Sequence, residues 1–176
     1  MGEGLGIQSM VECQAMDIEA FLTTNGITFQ RFDHPAVFTC EESEKLPPIP
    51  GFHTKNLFLR DEKAKRFFLV VVGHSKNVDL KELKKLIGVQ KLSFGSPEYL
   101  LQHLGVTPGS VTLMGLVNDA AHAVEVIIDA VAWEASEIAC HPLVNTATVV
   151  ISHEGLEKFL SATGHAGRVV EVPARS

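Results

Sequence analysis

A hairpin signal at 56–72 constrains this chain more than any other feature. Two strand-like runs, at 56–60 and 67–72, flank a polar, turn-forming stretch at 61–66. Apolar runs bounded by polar turn residues read as paired strands. A short connection makes antiparallel neighbours, whereas parallel strands need a crossover of about a dozen residues. A second hairpin is predicted from apolar runs at 111–117 and 124–131, after the Pro108-Gly109 pair. A sheet holding both cannot be purely parallel.

Helical spacing fills the intervals. Ile18, Phe21 and Leu22 define a helix at 17–25, with Gly26 where a C-terminal cap belongs. Asp79 opens a second helix with Leu80, Leu83, Leu86 and Ile87 on one face, closed by Gly88. Ser96 caps a third, with Pro97 in its first turn and Gly105 at its stop. Ser152 and Glu154 open a last helix to Ala162. Strands are expected at 28–32, 146–151 and 168–172, and Pro47-Pro48-Ile49-Pro50-Gly51 reads as an ordered loop. Interleaved helices and strands with hairpins predict a mixed-sheet α/β (α+β) domain with helices packed around the sheet.

A chain of 176 residues is most simply one domain with a real core. No apolar run approaches the eighteen or so residues of a membrane span. Residues 1–9 are Gly-rich and lack the basic-then-apolar order of a signal peptide, so 1–12 reads as a disordered leader and 13–176 as the domain. The three cysteines, Cys13, Cys40 and Cys140, are odd in number and far apart, which fits a reducing cytoplasm.

The net charge is −6, but its distribution is uneven. Residues 55–91 carry ten of the fifteen Lys and Arg against four carboxylates, a local balance of +6 that leaves −12 elsewhere. Such a segment reads either as a phosphate-binding face or as a solvated helix face beside a charged turn.

Three segments place polar groups beside apolar runs. They are Thr54-Lys55-Asn56-Leu57-Phe58-Leu59, Thr107-Pro108-Gly109-Ser110-Val111-Thr112, and Cys140-His141-Pro142-Leu143-Val144-Asn145. Together they suggest a cleft with a cation, an imidazole and exposed backbone N–H groups. By position alone Lys55 reads as a surface lysine or as a ligand for phosphate or carboxylate. Gly109 fits a turn needing positive φ, and Gly109, Ser110, Val111 and Thr112 could bring backbone close to a substrate. His141, before a proline, reads as structural or as pocket-lining. Cys140 has no recognisable base partner and reads as buried and inert. No Walker loop, GxGxxG, HxxxH or CxxC occurs, so neither a nucleotide cofactor nor a metal is expected. One Trp and one Tyr make no aromatic platform for single-stranded RNA.

These segments, the last continued through Thr146-Ala147-Thr148, together with His34-Pro35-Ala36-Val37-Phe38-Thr39, resemble the freestanding prolyl-tRNA editing proteins of the YbaK/ProX superfamily, in particular the Ala-tRNA(Pro) deacylases. The resemblance covers roughly residues 17–172. It implies a curved, barrel-like mixed sheet and a cytoplasmic trans-editing hydrolase acting on mischarged tRNA(Pro). It implies functional roles for Lys55, Gly109 and His141, and substrate contacts from Thr54, Asn56, Ser110, Val111, Thr112 and Asn145. Partners are then tRNA and prolyl-tRNA synthetase, with no membrane and no cofactor. Leu113 stands where the family's Gly-x-x-x-Pro loop has its proline. Another mischarged tRNA (Cys or Ser), a non-catalytic tRNA- or synthetase-binding module, and a small-molecule amidase or esterase are the alternatives.

Overall fold

The computed structural model describes residues 17–36, 45 and 47–175. The leader, Cys13, Cys40 and Val37-Phe38-Thr39 lie outside the described residues. The elements are α1 (Ile18–Thr24), β1 (Phe29–Asp33), β2 (Phe52–Arg60), β3 (Phe67–Gly73), α2 (Leu80–Ile87), β4 (Ser93–Phe94) and α3 (Pro97–Leu104). There follow β5 (Val124–Asp129), α4 (Ala130–Glu134), β6 (Glu137–Cys140), β7 (Ala147–Ser152), α5 (His153–Thr163) and β8 (Gly167–Val170).

The strands form one mixed sheet in the order β1-β7-β6-β2-β3-β5-β8, with β4 added to β2. The predicted hairpin is β2–β3, antiparallel from Thr54↔Gly73 to Arg60↔Phe67. β6–β2, β3–β5 and β5–β8 are parallel, and β1–β7 and β6–β7 antiparallel. β1 and β8 end the order without pairing to each other, so the barrel-like sheet implied by the resemblance is an open one.

The second hairpin does not form. Residues 111–117 are not a strand; they follow one 3-10 turn, Pro108–Ser110, and enter a second, Leu113–Asn118. Thr112 accepts a hydrogen bond from the Met114 amide and starts the second turn. A buried helical turn and a buried strand carry the same apolar run, and periodicity alone cannot separate them. β5 instead pairs parallel to β3 and gives way to α4 at Ala130. β6, four residues long, carries too short a pattern to announce itself.

β3 is buried on both faces, which its uninterrupted apolar run requires. Phe67, Leu69 and Val71 enter an inner core with residues of α3, the 3-10 turns and α5. Phe68, Val70 and Val72 enter an outer core under Leu83 and Ile87 of α2. At the far end, buried Asp119 accepts from the Ala123 and Val124 amides and pairs with His165 Nε2 at 2.9 Å, fixing the turn into β5 against the end of α5.

Candidate functional site

The site is built where the sheet splits. One edge of β2 is covered by β3 from Thr54 to Arg60. The other edge is covered by β6 only at Phe52 and His53, and by β4 only at Leu59 and Arg60. Residues 54–57 have no ladder partner on that edge. Lys55 and Asn56 sit in this opening and point to opposite faces, because successive strand residues alternate. Asn56 is cross-paired with Val71 of the inner core, and Lys55 with Val72 of the outer core.

Among the described residues each of the two side chains has a polar group without a partner. Asn56 Oδ1 is buried and has no hydrogen-bond partner. A buried amide oxygen without a partner costs about 1–3 kcal/mol, so such an atom calls for a ligand. Lys55 is half-buried and makes no ion pair or hydrogen bond among the described residues. It opens on an outer-face cleft of about 560 Å³ that also exposes Asn77, Phe94 and Arg175.

The other two segments converge on the end of β6. Thr54 Oγ1 donates to the Ala139 carbonyl at 2.9 Å, and Thr112 Oγ1 donates to the His141 carbonyl at 2.6 Å. Two hydroxyls thus tie the Thr-Lys-Asn strand, the Pro-Gly-Ser turn and the Cys-His-Pro segment together. Ile138 and Cys140 face the inner core, and the imidazole of His141 meets that of His34 instead, with ring centroids 6.5 Å apart. His53↔Ala139 is the last β2–β6 pairing, and the two strands part beyond it, ahead of Lys55 on one and His141 on the other.

The proton inventory of His141 is fixed by its partner. Its Nδ1 lies 3.2 Å from the Ala147 carbonyl, which can only accept, so Nδ1 carries the hydrogen and Nε2 the lone pair. Burial pushes the imidazole below its ordinary 6.5; the Ala147 hydrogen bond opposes this and His34 adds to it. His34 is held similarly, donating to the Pro35 carbonyl and accepting from Thr148 Oγ1 at 2.8 Å. The sequence motifs include His34 and Thr148 without giving either a role, and leave out Phe94, Asn77 and Arg175. Only pairings distant in the chain reveal them.

The remaining expected residues are placed differently. Gly109 lies in a 3-10 turn and has no positive φ, contrary to the Pro-Gly reading, and the Ser110 amide is spent on the Thr107 carbonyl. A 3-10 turn keeps ordinary right-handed backbone, which any residue can adopt. Val111 packs against the inner core and Leu113 is buried within it. Asn145 is half-buried in a loop where Leu143 takes φ +69°. A left-handed leucine stores strain of about 1–2 kcal/mol. Cys140 is fully buried, and burial raises its thiol to about 12, so it carries no thiolate at neutral pH. None of Gly109, His141 or Asn145 lines the Lys55 cleft. The basic segment is partly neutralised: Arg66 pairs with Glu125, Lys76 with Asp129 and Lys85 with Glu82.

The model of the aminoacyl-tRNA editing domain family matches residues 34–159. The chain belongs to that family. It is 40% identical over 147 residues to the prolyl-tRNA editing protein ProX of Acetoanaerobium sticklandii, covering 83% of this chain and 90% of that one. It is 36% identical over 152 residues to the prolyl-tRNA synthetase associated domain-containing protein 1 of Danio rerio, covering 85% and 82%. A crystal structure provisionally described as a trans-editing enzyme for prolyl tRNA synthetase superposes with a TM-score of 0.67 over 90% of this chain and 95% of that one. At 20% identity this likeness shows a shared fold. Among the described residues no helix is long and apolar enough to cross a membrane.

Proposed function

We propose that this editing domain, residues 13–176, is a cytoplasmic trans-editing hydrolase that removes alanine from mischarged tRNA(Pro). The observation that carries the reading is the pair at the opening of β2: among the described residues, a buried Asn56 oxygen has no partner and the neighbouring Lys55 has no counter-ion. Relatives over most of the chain are named for prolyl-tRNA editing, which supports tRNA(Pro) as the carrier and prolyl-tRNA synthetase as the source of the error. A proline pocket cannot strongly exclude a smaller side chain, since a missing methylene is worth only about 1–3 kcal/mol. A second, smaller pocket supplies the missing discrimination.

The aminoacyl ester is already activated, so positioning and charge suffice. Lys55 holds the phosphate or ribose end as a compact point charge. Asn56 hydrogen-bonds the aminoacyl group at the opening. Neutral His141, with Nε2 free to accept, holds the amino group or the attacking water. Thr54 and Thr112 fix the β6 end that carries His141, while Gly109, Ser110, Val111 and Asn145 bound the pocket. The substrate's own 2′-hydroxyl takes part in the chemistry, and no side-chain nucleophile is needed.

The test is release of labelled amino acid from Ala-tRNA(Pro), Pro-tRNA(Pro), Ser-tRNA and Cys-tRNA(Pro). Wild type is expected to hydrolyse Ala-tRNA(Pro), with Lys55→Ala and Asn56→Ala each losing at least about tenfold, one oxyanion-type contact being worth about 10²–10³. Hydrolysis of Ser- or Cys-charged tRNA instead moves the substrate. No hydrolysis of any contradicts the reading and favours a binding module.

A further inference from the structure

The cleft on which Lys55 opens holds a second cation that nothing in the sequence links to it. Arg175 lies 120 residues further along the chain. Its position is set by backbone, not by its own charge. The Arg175 amide donates to the Asn77 carbonyl at 2.8 Å, Val78 bridges Ala174, and the Asp79 amide donates to Pro173 at 2.8 Å. Lys76 Nζ reinforces the strap by bonding both Asp129 and the Val172 carbonyl at 2.7 Å. The guanidinium itself makes no ion pair or hydrogen bond among the described residues.

An aromatic ring completes the cleft. Phe94 is cross-paired with Leu59, so it emerges on the same outer face as Lys55, and it is 61% exposed. Leu57 and Leu80 form the floor, and no carboxylate side chain is among the described lining residues. The cleft volume, about 560 Å³, falls within the range of about 300–1,000 Å³ typical of ligand sites. Two cations, unpaired among the described residues, with an exposed ring between apolar walls match the chemistry of a single strand of nucleic acid: phosphates for the cations, a base for the ring. An acidic peptide would use the cations but leave Phe94 exposed.

We propose that this cleft binds the single-stranded end of an RNA, with Lys55 on the phosphate of the terminal nucleotide, Arg175 on the phosphate one step upstream, and Phe94 stacked on a base. The site rests on the tRNA reading above and extends it to residues outside the three motif segments. It makes the acceptor end, rather than the aminoacyl group alone, a determinant of affinity.

The test uses a 5′-labelled CCA ribo-trinucleotide as probe, followed by anisotropy at several KCl concentrations, alongside KM and kcat for Ala-tRNA(Pro). The variants are Arg175→Gln, Phe94→Ala and Phe94→Tyr, with Lys158→Gln as a charge-loss control on the distant surface of α5. Thermal melts confirm that each variant is folded. Arg175→Gln is expected to reduce the salt slope by about 0.7, one phosphate's worth on a single strand. Phe94→Ala is expected to weaken binding about tenfold, with Phe94→Tyr restoring it, as for loss and return of one base stack. Both losses raise KM and leave kcat. Wild-type affinity, slope and KM in Arg175→Gln and Phe94→Ala overturn the site, even if the protein hydrolyses Ala-tRNA(Pro). Probe binding that depends on both residues, in a protein that hydrolyses no mischarged tRNA, retains the site and removes the deacylase reading. Unchanged probe binding with Arg175-dependent capture of prolyl-tRNA synthetase assigns the cleft to a protein partner and overturns the RNA assignment.

Discussion

His141 is neutral at a pH where an ordinary histidine begins to charge. Burial lowers its folded-state pKa, so between the folded and unfolded values the unfolded chain binds more protons and stability rises with pH. The contribution is complete above the unfolded value of about 6.5 and is lost as pH falls below it toward the folded value. Urea unfolding at pH 7.5, 6.5 and 5.5 is expected to show wild type losing more stability on acidification than His141→Gln; parallel losses contradict the assignment. Cys140, with its thiol raised to about 12, is expected to resist iodoacetamide at pH 8 in the folded protein. Cys140→Ala is expected to retain kcat, whereas loss of turnover restores a thiol mechanism. Lys55 and Asn56 were legible in the sequence because polar groups stand out within an apolar strand. Arg175 and Phe94 were not, because each is brought to the cleft by strand pairing far from its own neighbours.

The pair of 3-10 turns between α3 and β5 is packed tightly against α3. Gly115 lies against α3 there, and a Cβ at that position would stand 2.9 Å from Leu104 Cβ and 3.1 Å from the Leu104 carbonyl oxygen. Backbone cannot move aside as a side-chain tip can. Gly115→Ala is therefore expected to destabilise by about 1–3 kcal/mol, as overpacking does. That lowers Tm by roughly 2–4 °C per kcal/mol in a chain of this size. A melting curve identical to wild type contradicts the close packing. The capped helices were legible because their signals are local: Asp79, Ser96 and Ser152 each accept amide hydrogens at their own helix starts. Residues 111–117 misled because burial on all sides erases the period that separates strand from helical turn. β6 was invisible because four residues pair through register set by β2 and β7.

At the scale of the whole molecule, one ion pair holds the chain's end to the sheet. Asp129 is nearly fully buried and Lys76 about one-quarter exposed, and both also bond the backbone of Val172. Lys76→Ala strands a buried carboxylate, at a cost of about 2 kcal/mol, below the 3–5 of a fully buried pair because water reaches the lysine side. The same change is expected to loosen the strap that positions Arg175, so CCA-probe affinity falls together with Tm; an unchanged probe affinity contradicts the coupling. The mixed sheet and its principal hairpin follow from apolar patterning, while the split at residues 54–57 is a property of the assembled sheet alone.

The most direct test of the account is the ratio of single-turnover deacylation rates for Ala-tRNA(Pro) and Pro-tRNA(Pro) at saturating enzyme. Saturation removes differences in tRNA binding and leaves only what happens at the opening of β2. A pocket that admits alanine and excludes proline predicts rapid, Lys55-dependent loss of alanine with proline spared. Equal rates for the two, or no release of either, contradict it.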